Sequence, residues 1–381
     1  MKKTKVLFIV SEFYQSGTAR FTYEIDCALN KELFETSILS LNPLNNSNQW
    51  QDYYNFLHEE IGTEIHFIDD INNVVRPTVK ERILRKFFGQ ELPDVSRNVV
   101  EFLDNFDAIS VMGEYNYNYV KRYLMSHHRE KLFIHPVNSL YQKPDNYIAF
   151  EKELHFNIVS GFLEQDLDFE FGGFSSYSHT FIPLCFMLKN KIPLWIPPQN
   201  EVKKIGLFSR IGKTKPIDPF IYSFQILKEI IPNVELHIFG SGNPDEEGVM
   251  RYVKQLDMKG FVIFRGHQKD MLDTAMNEDL DLVWLHGYHG LPGGWAGYDI
   301  CHLGIPQVFW DFGGTRRPEL RETFPMSNSV SEMASLSLKF LIDKERAKKL
   351  RDLQFTYTEK NQNINNFIHN LEKAYQSVVN K

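Results

Sequence analysis

The sequence contains little cysteine. Of its 381 residues only three are cysteines, Cys27, Cys185 and Cys301, and they lie far apart. A disulfide framework needs an even set of cysteines, and a structural zinc site needs closely spaced pairs. The sequence therefore disfavours both classes. It is typical of a reducing compartment, and we predict a cytoplasmic protein.

Long apolar runs are also missing. The N-terminus begins with basic residues, but its apolar run covers only residues 6–10, which is too short for a signal peptide. No stretch approaches the ~20 apolar residues that a membrane-spanning helix needs. The sequence predicts neither secretion nor a membrane span.

The sequence has no excess of positive charge. It has 42 Lys and Arg against 49 Asp and Glu, which gives a formal net charge of −7 at pH 7. Sequence-independent nucleic-acid binding depends on neutralising phosphates, so nucleic acid is not an expected partner. Apolar residues make up 43% of the chain, enough for large cores, which excludes the disordered and fibrous classes.

Short apolar runs alternate with longer amphipathic segments. The runs predict strands at residues 6–10, 37–41, 65–68, 108–112, 132–135, 157–160, 205–209, 234–239, 261–264, 282–286 and 307–310. Continuous apolar runs suit strands that are buried on both faces of a parallel sheet. In the second half they recur roughly every 20 to 30 residues, which leaves room for one right-handed crossover helix each time.

A break in this pattern separates two parts. Residues 189–204 contain three prolines and a charge cluster. Proline removes a backbone donor and fixes φ, so we predict a linker over 191–204. The sequence thus predicts two doubly wound α/β domains, over 1–190 and 205–360. Ligands of such sheets bind at the carboxyl ends of the strands and in the cleft between domains.

A basic loop follows the first strand of the second domain. Residues 203–215 hold five cations and no acid, in an otherwise acidic chain. Arg210 and Lys215 lie just past the strand, and an Arg–Lys combination is suited to a diphosphate. A solvated basic loop is an equally open alternative.

Glycine-rich turns follow several predicted strands, at Gly17, 240–242, 266–267, 286–295 and 311–319. Their backbone amides could face a polyanionic or sugar ligand, although a turn with positive φ also explains glycine there. The Gly-x-Gly-x-x-Gly fingerprint is absent, which disfavours a nicotinamide or flavin site.

Metal-ligand patterns are weak. His286 and His289 share a loop without a nearby cysteine or paired carboxylate, so stacking or hydrogen bonding is the favoured role. Two Asp-Leu-Asp triplets, at 166–168 and 279–281, resemble a metal-binding pair. The second leads directly into a buried strand, where Asp is an ordinary first residue. We expect no metal.

These pieces, taken in order, resemble the GT-B glycosyltransferases, and among them the retaining family 4 group. The resemblance rests on VLFIVSEFYQSGTAR, LFIHPVN, IGLFSRIGKTK, PNVELHIFGSG, FVIFRGH and DLDLVWLHGYHGLPGGWAGYDICHLGIPQVFWDFGGTRRPE. It implies two Rossmann-like parallel-sheet domains that face a cleft. It also implies that the C-terminal helix, within 361–381, returns to the N-terminal domain.

The resemblance assigns catalytic positions to His135, facing the reacting sugar, and to Arg210 and Lys215, holding the diphosphate. The implied donor-binding positions are Gly17, Gly242, His267, Gly293, Gly294, Asp299, Gly313, Gly314 and Glu319. Among these, His267 borders the base and Asp299 is the ribose ligand. Anchoring on the Gly-x-Pro at 304–306, the family's first conserved acid falls on Leu291, which cannot accept a hydrogen bond.

The implied function is transfer of a sugar from a UDP- or GDP-linked donor to a glycan, lipid-linked or protein acceptor, in cell-surface glycoconjugate synthesis. No cofactor is expected besides the nucleotide sugar itself. Because of Leu291, a catalytically silent GT-B subunit that recognises a partner stays an alternative, and a GT-B sugar-nucleotide epimerase is another.

Residues 76–88, RPTVKERILRKFF, predict a basic amphipathic helix. Such a helix is compatible with peripheral contact with an anionic membrane. An ordinary surface helix whose apolar stripe packs on the first domain is the favoured alternative.

Overall fold

The structure, a computed structural model, describes residues 2–45, 51–72, 96–136, 157–160, 178–213, 215–288, 290–312 and 317–379. The chain divides into two compact units. Unit 1 comprises Met1–Met187 and Asn363–Lys381, and unit 2 comprises Leu188–Gln362.

Unit 1 contains a seven-stranded parallel sheet in the order β3-β2-β1-β4-β5-β6-β7. Its strands are β1 (Thr4–Val10), β2 (Phe34–Ser40), β3 (Glu64–Phe67), β4 (Ala108–Met112), β5 (Leu132–His135), β6 (Asn157–Ser160) and β7 (Ser178–Phe181). In its N-terminal segment, the described helices are α1 (Gly17–Ala28), α2 (Tyr54–Glu60), α3 (Ile68–Ile71), α4 (Arg97–Asp104) and α5 (Glu114–Val120). Short 3₁₀ turns at Lys121–Tyr123 and Ser126–Lys131 precede β5.

Unit 2 is built on a second parallel sheet, in the order β10-β9-β8-β11-β13-β14, with β12 added antiparallel to β11. Its strands are β8 (Lys203–Phe208), β9 (Val234–Phe239), β10 (Val262–Gly266), β11 (Leu282–Tyr288), β12 (Leu291–Pro292), β13 (Gln307–Asp311) and β14 (Met326–Ser327). Its helices are α6 (Asp218–Ile230), α7 (Val249–Gln255), α8 (Met271–Asn277), α9 (Trp295–Leu303), α10 (Val330–Ile342) and α11 (Lys344–Asn361).

The predicted fold class is confirmed, because both units are α/β with parallel sheets. All eleven apolar runs that the sequence assigned to strands overlap observed strands. The sequence missed β7, β12 and β14. Strand β7 reads SHTF, and the other two have only two residues each, so none of them carries an apolar run.

The strand interiors are buried because helices cover both faces of each sheet. Residues Val6 to Val10 of β1 are at most 2% exposed. On one face of unit 1, Leu7 and Ile9 join a core cluster with Leu103 of α4. In unit 2, the buried Trp284 of β11 donates its indole N–H to the Ser337 hydroxyl of α10 at 2.8 Å, which pairs the polar atom of a core side chain.

The segment for which the sequence predicts a linker belongs to unit 2 and packs against its other elements. The backbone N–H groups of Leu194 and Trp195 both donate to the Leu303 carbonyl, at 2.9 and 3.1 Å. The Trp195 indole donates to the Leu280 carbonyl at 2.8 Å. Lys203 and Lys204 already belong to β8, so the regular structure of unit 2 begins before residue 205.

The last helix, α12 (Ile368–Val379), belongs to unit 1. Its buried Tyr375 lies 2.6 Å from the Ser110 hydroxyl of β4, oxygen to oxygen, and its ring packs edge-on against Phe133 of β5. The longest described helix, α11, carries charges along its length, and no described helix is long and apolar enough to cross a membrane. The predicted helix at 76–88 lies outside the described residues.

A buried polar network connects the first helix of unit 1 to helix α2 and strand β2. The carboxylate of Asp26 on α1 is fully buried and contacts the His58 imidazole at 2.6 Å and the Thr63 hydroxyl at 2.7 Å. The Lys31 ammonium donates to Asp26 and to Thr36. Burial by itself raises the pKa of Asp26, but the hydrogen bonds and charges of His58 and Lys31 outweigh it and lower the pKa to about 2.

Candidate functional site

The order of the strands marks one place in unit 2 where a ligand is expected. The chain runs outward from β8 in one direction to β9 and β10, and in the other direction to β11 and β13. In open parallel sheets, ligands bind at such a topological switch point, outside the carboxyl ends of the two central strands. The loop after β8 and the turn after β11 are therefore the candidate site, and both carry residues that the sequence singled out.

Arg210 and Lys215 lie together in the loop after β8. Arg210 is exposed, whereas Lys215 is mostly buried, and burial together with the nearby charge of Arg210 lowers the pKa of the Lys215 ammonium. Within the described part of the chain, neither cation has an acidic partner at ion-pair distance. Two neighbouring cations without a counter-ion form a site that favours an anion.

The turn after β9 fixes the backbone that carries Arg210. The N–H of Ile211 donates to the Ser241 carbonyl at 2.8 Å. Gly240 and Gly242 have φ of 152° and 116°, and a Cβ at these positions would lie 1.9 Å from the Ser209 oxygen and 2.3 Å from the Ile211 oxygen. Both positions therefore require glycine for a packing reason. The contact between Gly242 and a nucleotide-sugar donor stays a prediction.

His286, the fifth residue of β11, contacts the C-terminal part of the loop after β8. Its imidazole packs between the rings of Phe220 and Phe312, at centroid distances of 5.2 and 5.0 Å. Its Nε2 donates to the Pro216 carbonyl at 3.3 Å. Burial, with a further contribution from the charge of Lys215, lowers the pKa of His286 to about 4, so the ring is neutral at pH 7. Stacking and hydrogen bonding are the role that the sequence favoured for it; His289 lies outside the described residues.

The glycine pair at 293–294 links β12 to helix α9. The N–H of Gly293 donates to the His286 carbonyl at 2.9 Å, and a Cβ there would lie 2.5 Å from the Tyr288 ring. Gly294 has φ of 121°, and no atom lies within 4 Å of a Cβ built on it. Glycine is therefore required at this position by the backbone conformation and not by a lack of space. Helix α9 begins at the next residue, so the first backbone N–H groups of the helix lie at this switch point.

Asp299 and Leu291 are the two positions that the sequence resemblance aligns with acids of the family 4 group, and this alignment stays a prediction. Asp299 lies in the middle of α9 and is 2% exposed. Leu291 pairs with Tyr288 in the antiparallel β12 and packs against the apolar cluster beneath the site. Leu291 is partly buried against this cluster, which accounts for an apolar residue at this position.

Two predicted donor contacts lie farther from this centre. His267 is exposed and follows β10, which is two strands away from β8, or about 10 Å at the usual strand spacing. Glu319 is exposed in the 3₁₀ turn Pro318–Leu320, after β13. Gly313 and Gly314 lie outside the described residues. The structure thus brings together Arg210, Lys215, the turn that carries Gly242 and the 293–294 pair around the switch point, whereas His267 and Glu319 lie farther out.

The two predicted site residues of unit 1 differ in accessibility. Gly17 is exposed at the start of α1, where Ser16 caps the helix by accepting from the Ala19 N–H at 3.1 Å. His135 is fully buried, 3.2 Å from the Ser110 hydroxyl and edge-on to the Phe21 ring, and burial lowers its pKa to about 3. Its ring lies inside the unit 1 core, and its catalytic role stays a prediction.

In the acidic triplet at 279–281, the carboxylate of Asp281 is already paired. The buried Asp281 carboxylate accepts from the Lys203 ammonium at 2.7 Å and from the Lys204 N–H at 2.9 Å. It precedes β11, at the amino edge of the sheet, opposite to the candidate site. Its partners in β8 assign it a structural role; the other triplet, 166–168, lies outside the described residues.

A cluster of Asp104, His127 and His128 in unit 1 has metal-like spacing that the sequence did not reveal. However, His128 Nδ1 accepts from the Met125 N–H at 3.0 Å, so the proton is on Nε2, which donates to Asp104 at 2.8 Å. A protonated nitrogen cannot bind a metal. The cluster is therefore explained as a set of hydrogen bonds that connects α4 to the 3₁₀ turn Ser126–Lys131.

Comparison with known proteins identifies the architecture. HepE of Anabaena, crystallised with UDP and glucose, is 14% identical, with a TM-score of 0.68 over 98% of this chain and 100% of HepE. The pneumococcal O-GlcNAc transferase GtfA, in complex with UDP and GlcNAc, is 10% identical, with a TM-score of 0.65 over 100% of both chains. The chain has the GT-B fold. A glycosyltransferase from Rickettsia africae is similar as well, at 12% identity and a TM-score of 0.68 over 100% of this chain and 99% of its own. No protein-family model matches the sequence, and no curated protein matches it.

Proposed function

We propose that this GT-B protein is a glycosyltransferase that moves a sugar from a nucleoside-diphosphate donor to a glycan, lipid-linked or protein acceptor in cell-surface glycoconjugate synthesis. The observation that carries the proposal is the pair of neighbouring cations Arg210 and Lys215 at the switch point of unit 2, for which the described residues supply no acidic partner. UDP is the first nucleotide to test, because similar structures hold UDP. The resemblance to the retaining family 4 group adds support from the sequence.

The chemistry follows from the charge that develops on the leaving group. The bond between the sugar C1 and the β-phosphate oxygen breaks, and its electron pair stays on the diphosphate. The acceptor oxygen forms the new bond to C1, and its proton passes to the departing phosphate. Fixed cations at Arg210 and Lys215, together with the N–H groups at the start of α9, stabilise this negative charge most in the transition state. His286 keeps Lys215 in place through the Pro216 carbonyl.

The decisive experiment measures release of nucleoside diphosphate from UDP- and GDP-sugars, with and without acceptor extracts. Release that depends on the extract supports a transferase. Leu291 favours one second candidate function, a catalytically silent subunit. Such a subunit binds UDP but releases no nucleoside diphosphate from a sugar donor in any extract. An epimerase converts the donor to another sugar nucleotide without releasing diphosphate, so product analysis distinguishes it.

Replacement of Asp299 by Asn tests the ribose contact. If the carboxylate accepts from ribose hydroxyls, the variant weakens UDP binding by roughly 1.5–3 kcal/mol, the range for hydrogen bonds to charged groups. Calorimetric titration with UDP and with 2′,3′-dideoxy-UDP measures it, and only the ribonucleotide loses affinity. Equal losses for both ligands show that Asp299, which is 2% exposed, has a structural role.

Turnover is expected to survive an excess of chelator. The proposed mechanism assigns the diphosphate charge to Arg210 and Lys215, and the carboxylate of Asp281 already pairs with Lys203. The release assay in EDTA measures this, with added Mn²⁺ or Mg²⁺ as the comparison. Activity that disappears in EDTA and returns with either cation contradicts it and shows that a metal takes part.

A further inference from the structure

An exposed apolar strip lies on unit 2, in the segment for which the sequence predicts a linker. Exposure alternates along this segment: Ile192, Leu194 and Ile196 are 68%, 43% and 80% exposed, whereas Trp195 is buried. Such alternation is typical of an extended chain, in which every second side chain points to the same side. The prolines at 193, 197 and 198 favour this conformation in the residues before them. We name Ile192, Leu194 and Ile196 the apolar strip.

The backbone of the apolar strip is fixed to the rest of unit 2. The N–H groups of Leu194 and Trp195 donate to the Leu303 carbonyl, and the Trp195 carbonyl accepts from the Arg351 guanidinium at 3.1 Å. The Trp195 side chain belongs to an apolar core cluster of unit 2. Because the residue between Leu194 and Ile196 is anchored in this way, the segment cannot turn over to bury its aliphatic side chains.

Positive charge accompanies the apolar strip along the chain. Residues 188–200 contain two lysines, Lys189 and Lys191, and no acid, although the whole chain has a net charge of −7. Both lysines are exposed. The nearest acid along the chain is Glu201, which follows the strip. The strip is therefore an apolar surface with a basic end.

Helix α11 adds further cations beside the apolar strip. Lys344, Lys348 and Arg351 are spaced i, i+4 and i+7 and therefore lie on one face of the helix. The Lys344 ammonium donates to the Gln199 side chain at 2.8 Å, and Arg351 contacts the strip backbone, so this face lies against the segment. Positive charge is in excess here, because fewer acids accompany these cations: Glu201, Glu345 and Asp352.

The backbone of the segment disfavours a protein strand as the occupant of this surface. An added strand needs free N–H and C=O groups along the edge that it joins. Between residues 193 and 198 there are three prolines without an N–H, and two of the other N–H groups already donate to Leu303. At most one N–H, that of Ile196, is left for an added strand. A second copy of the same surface is disfavoured as well, since its cations would repel those of the first.

We propose that the apolar strip and its lysines bind peripherally to an anionic lipid membrane. The aliphatic side chains enter the boundary between headgroups and acyl chains, and Lys189 and Lys191 contact the anionic headgroups. The paired backbone of the strip suits this position, because unpaired backbone groups are costly away from water. The inference does not rest on the proposed function, since lipid binding needs neither donor nor acceptor. It also uses no part of the predicted helix at 76–88.

Flotation of the full chain with lipid vesicles tests the proposal. The probes are vesicles of equal parts of phosphatidylglycerol and phosphatidylcholine, and vesicles of phosphatidylcholine alone, at low and at raised salt. We expect the wild-type protein to bind the anionic vesicles and to bind them more weakly as the salt concentration rises. Its affinity for the neutral vesicles is expected to be at least about 10-fold lower.

Two double variants separate the apolar from the charged contribution. Ile192→Ser with Ile196→Ser is expected to weaken binding to the anionic vesicles by about 10- to 100-fold, because the inserted side chains are lost. Lys189→Gln with Lys191→Gln is expected to weaken it by about 25-fold, since each cation near the surface contributes about 5-fold. The matched controls are an exposed isoleucine and an exposed lysine elsewhere in unit 2, Ile230→Ser and Lys254→Gln.

Binding that is lost in both double variants and kept in both controls supports the proposal. No binding of the wild type to anionic vesicles overturns it and leaves an acidic protein surface as the alternative occupant. Binding that either double variant retains in full also overturns it, because insertion and headgroup contact are both required. The substituted side chains are exposed, and melting temperatures with and without UDP check that each variant is folded and keeps its nucleotide site.

Discussion

The double variant Arg210→Ala and Lys215→Met is expected to lose the rise in melting temperature that UDP gives the wild-type protein. A ligand that binds only the folded state stabilises it in proportion to the logarithm of its concentration over Kd. Hydrogen bonds to charged groups contribute roughly 1.5–3 kcal/mol each. Removal of two cations therefore lowers the affinity for UDP by about 10²- to 10⁴-fold. The rate of sugar transfer decreases by at least the same factor, because the same charges stabilise the departing diphosphate.

The free double variant is expected to be as stable as the wild type or slightly more so. Burial lowers the pKa of Lys215, which means that its positive charge is less favourable in the folded than in the unfolded protein. Methionine fills the same space without that charge. Thermal unfolding with and without UDP measures both quantities. The matched control is Lys213→Ala, an exposed cation of the same loop, which retains the UDP shift. An unchanged UDP shift in the double variant contradicts the assignment.

The second large effect is expected at the buried network of unit 1. Replacing Asp26 by Ala leaves the buried His58 imidazole and Thr63 hydroxyl without their shared acceptor, and each buried polar group that loses its partner costs about 1–3 kcal/mol of the free energy of unfolding. Urea unfolding followed by circular dichroism measures the loss. Asp70→Ala, an exposed aspartate of α3, is the matched control and changes the stability by less than about 0.5 kcal/mol.

The same network gives a pH dependence with a definite sign. The pKa of Asp26 is about 2 in the folded protein against an ordinary 3.8, so the unfolded state binds more protons between these values. Its contribution of about 2 kcal/mol is fully present above about pH 4 and is lost as the pH falls towards 2. Asp26→Asn is expected to lack this part of the acid sensitivity. Identical pH profiles for the wild type and Asp26→Asn contradict the explanation.

Local sequence signals found part of the candidate site. The loop with Arg210 and Lys215 stood out because five cations without an acid follow an apolar strand. The sequence did not show that Gly240 and Gly242 are required by the backbone of the neighbouring loop, since that contact joins segments about 30 residues apart in the chain. It also left the Asp281 triplet open as a metal pair. The contact with Lys203 that accounts for this carboxylate spans 78 residues.

The fold class follows from the sequence alone, because short continuous apolar runs suit strands that are buried on both faces of a parallel sheet, and their spacing leaves room for crossover helices. The sequence also determined which segments carry positive charge, since charge is a property of residue type. The pairing of the strands, and hence the place of the switch point in each sheet, is visible only in the folded structure. For the same reason, only the structure placed Lys215 beside Arg210 and His286, and Tyr115 beside Ser11. These contacts depend on the order of strands in the sheet, and that order is set by the packing of the whole unit and not by any local run of residues.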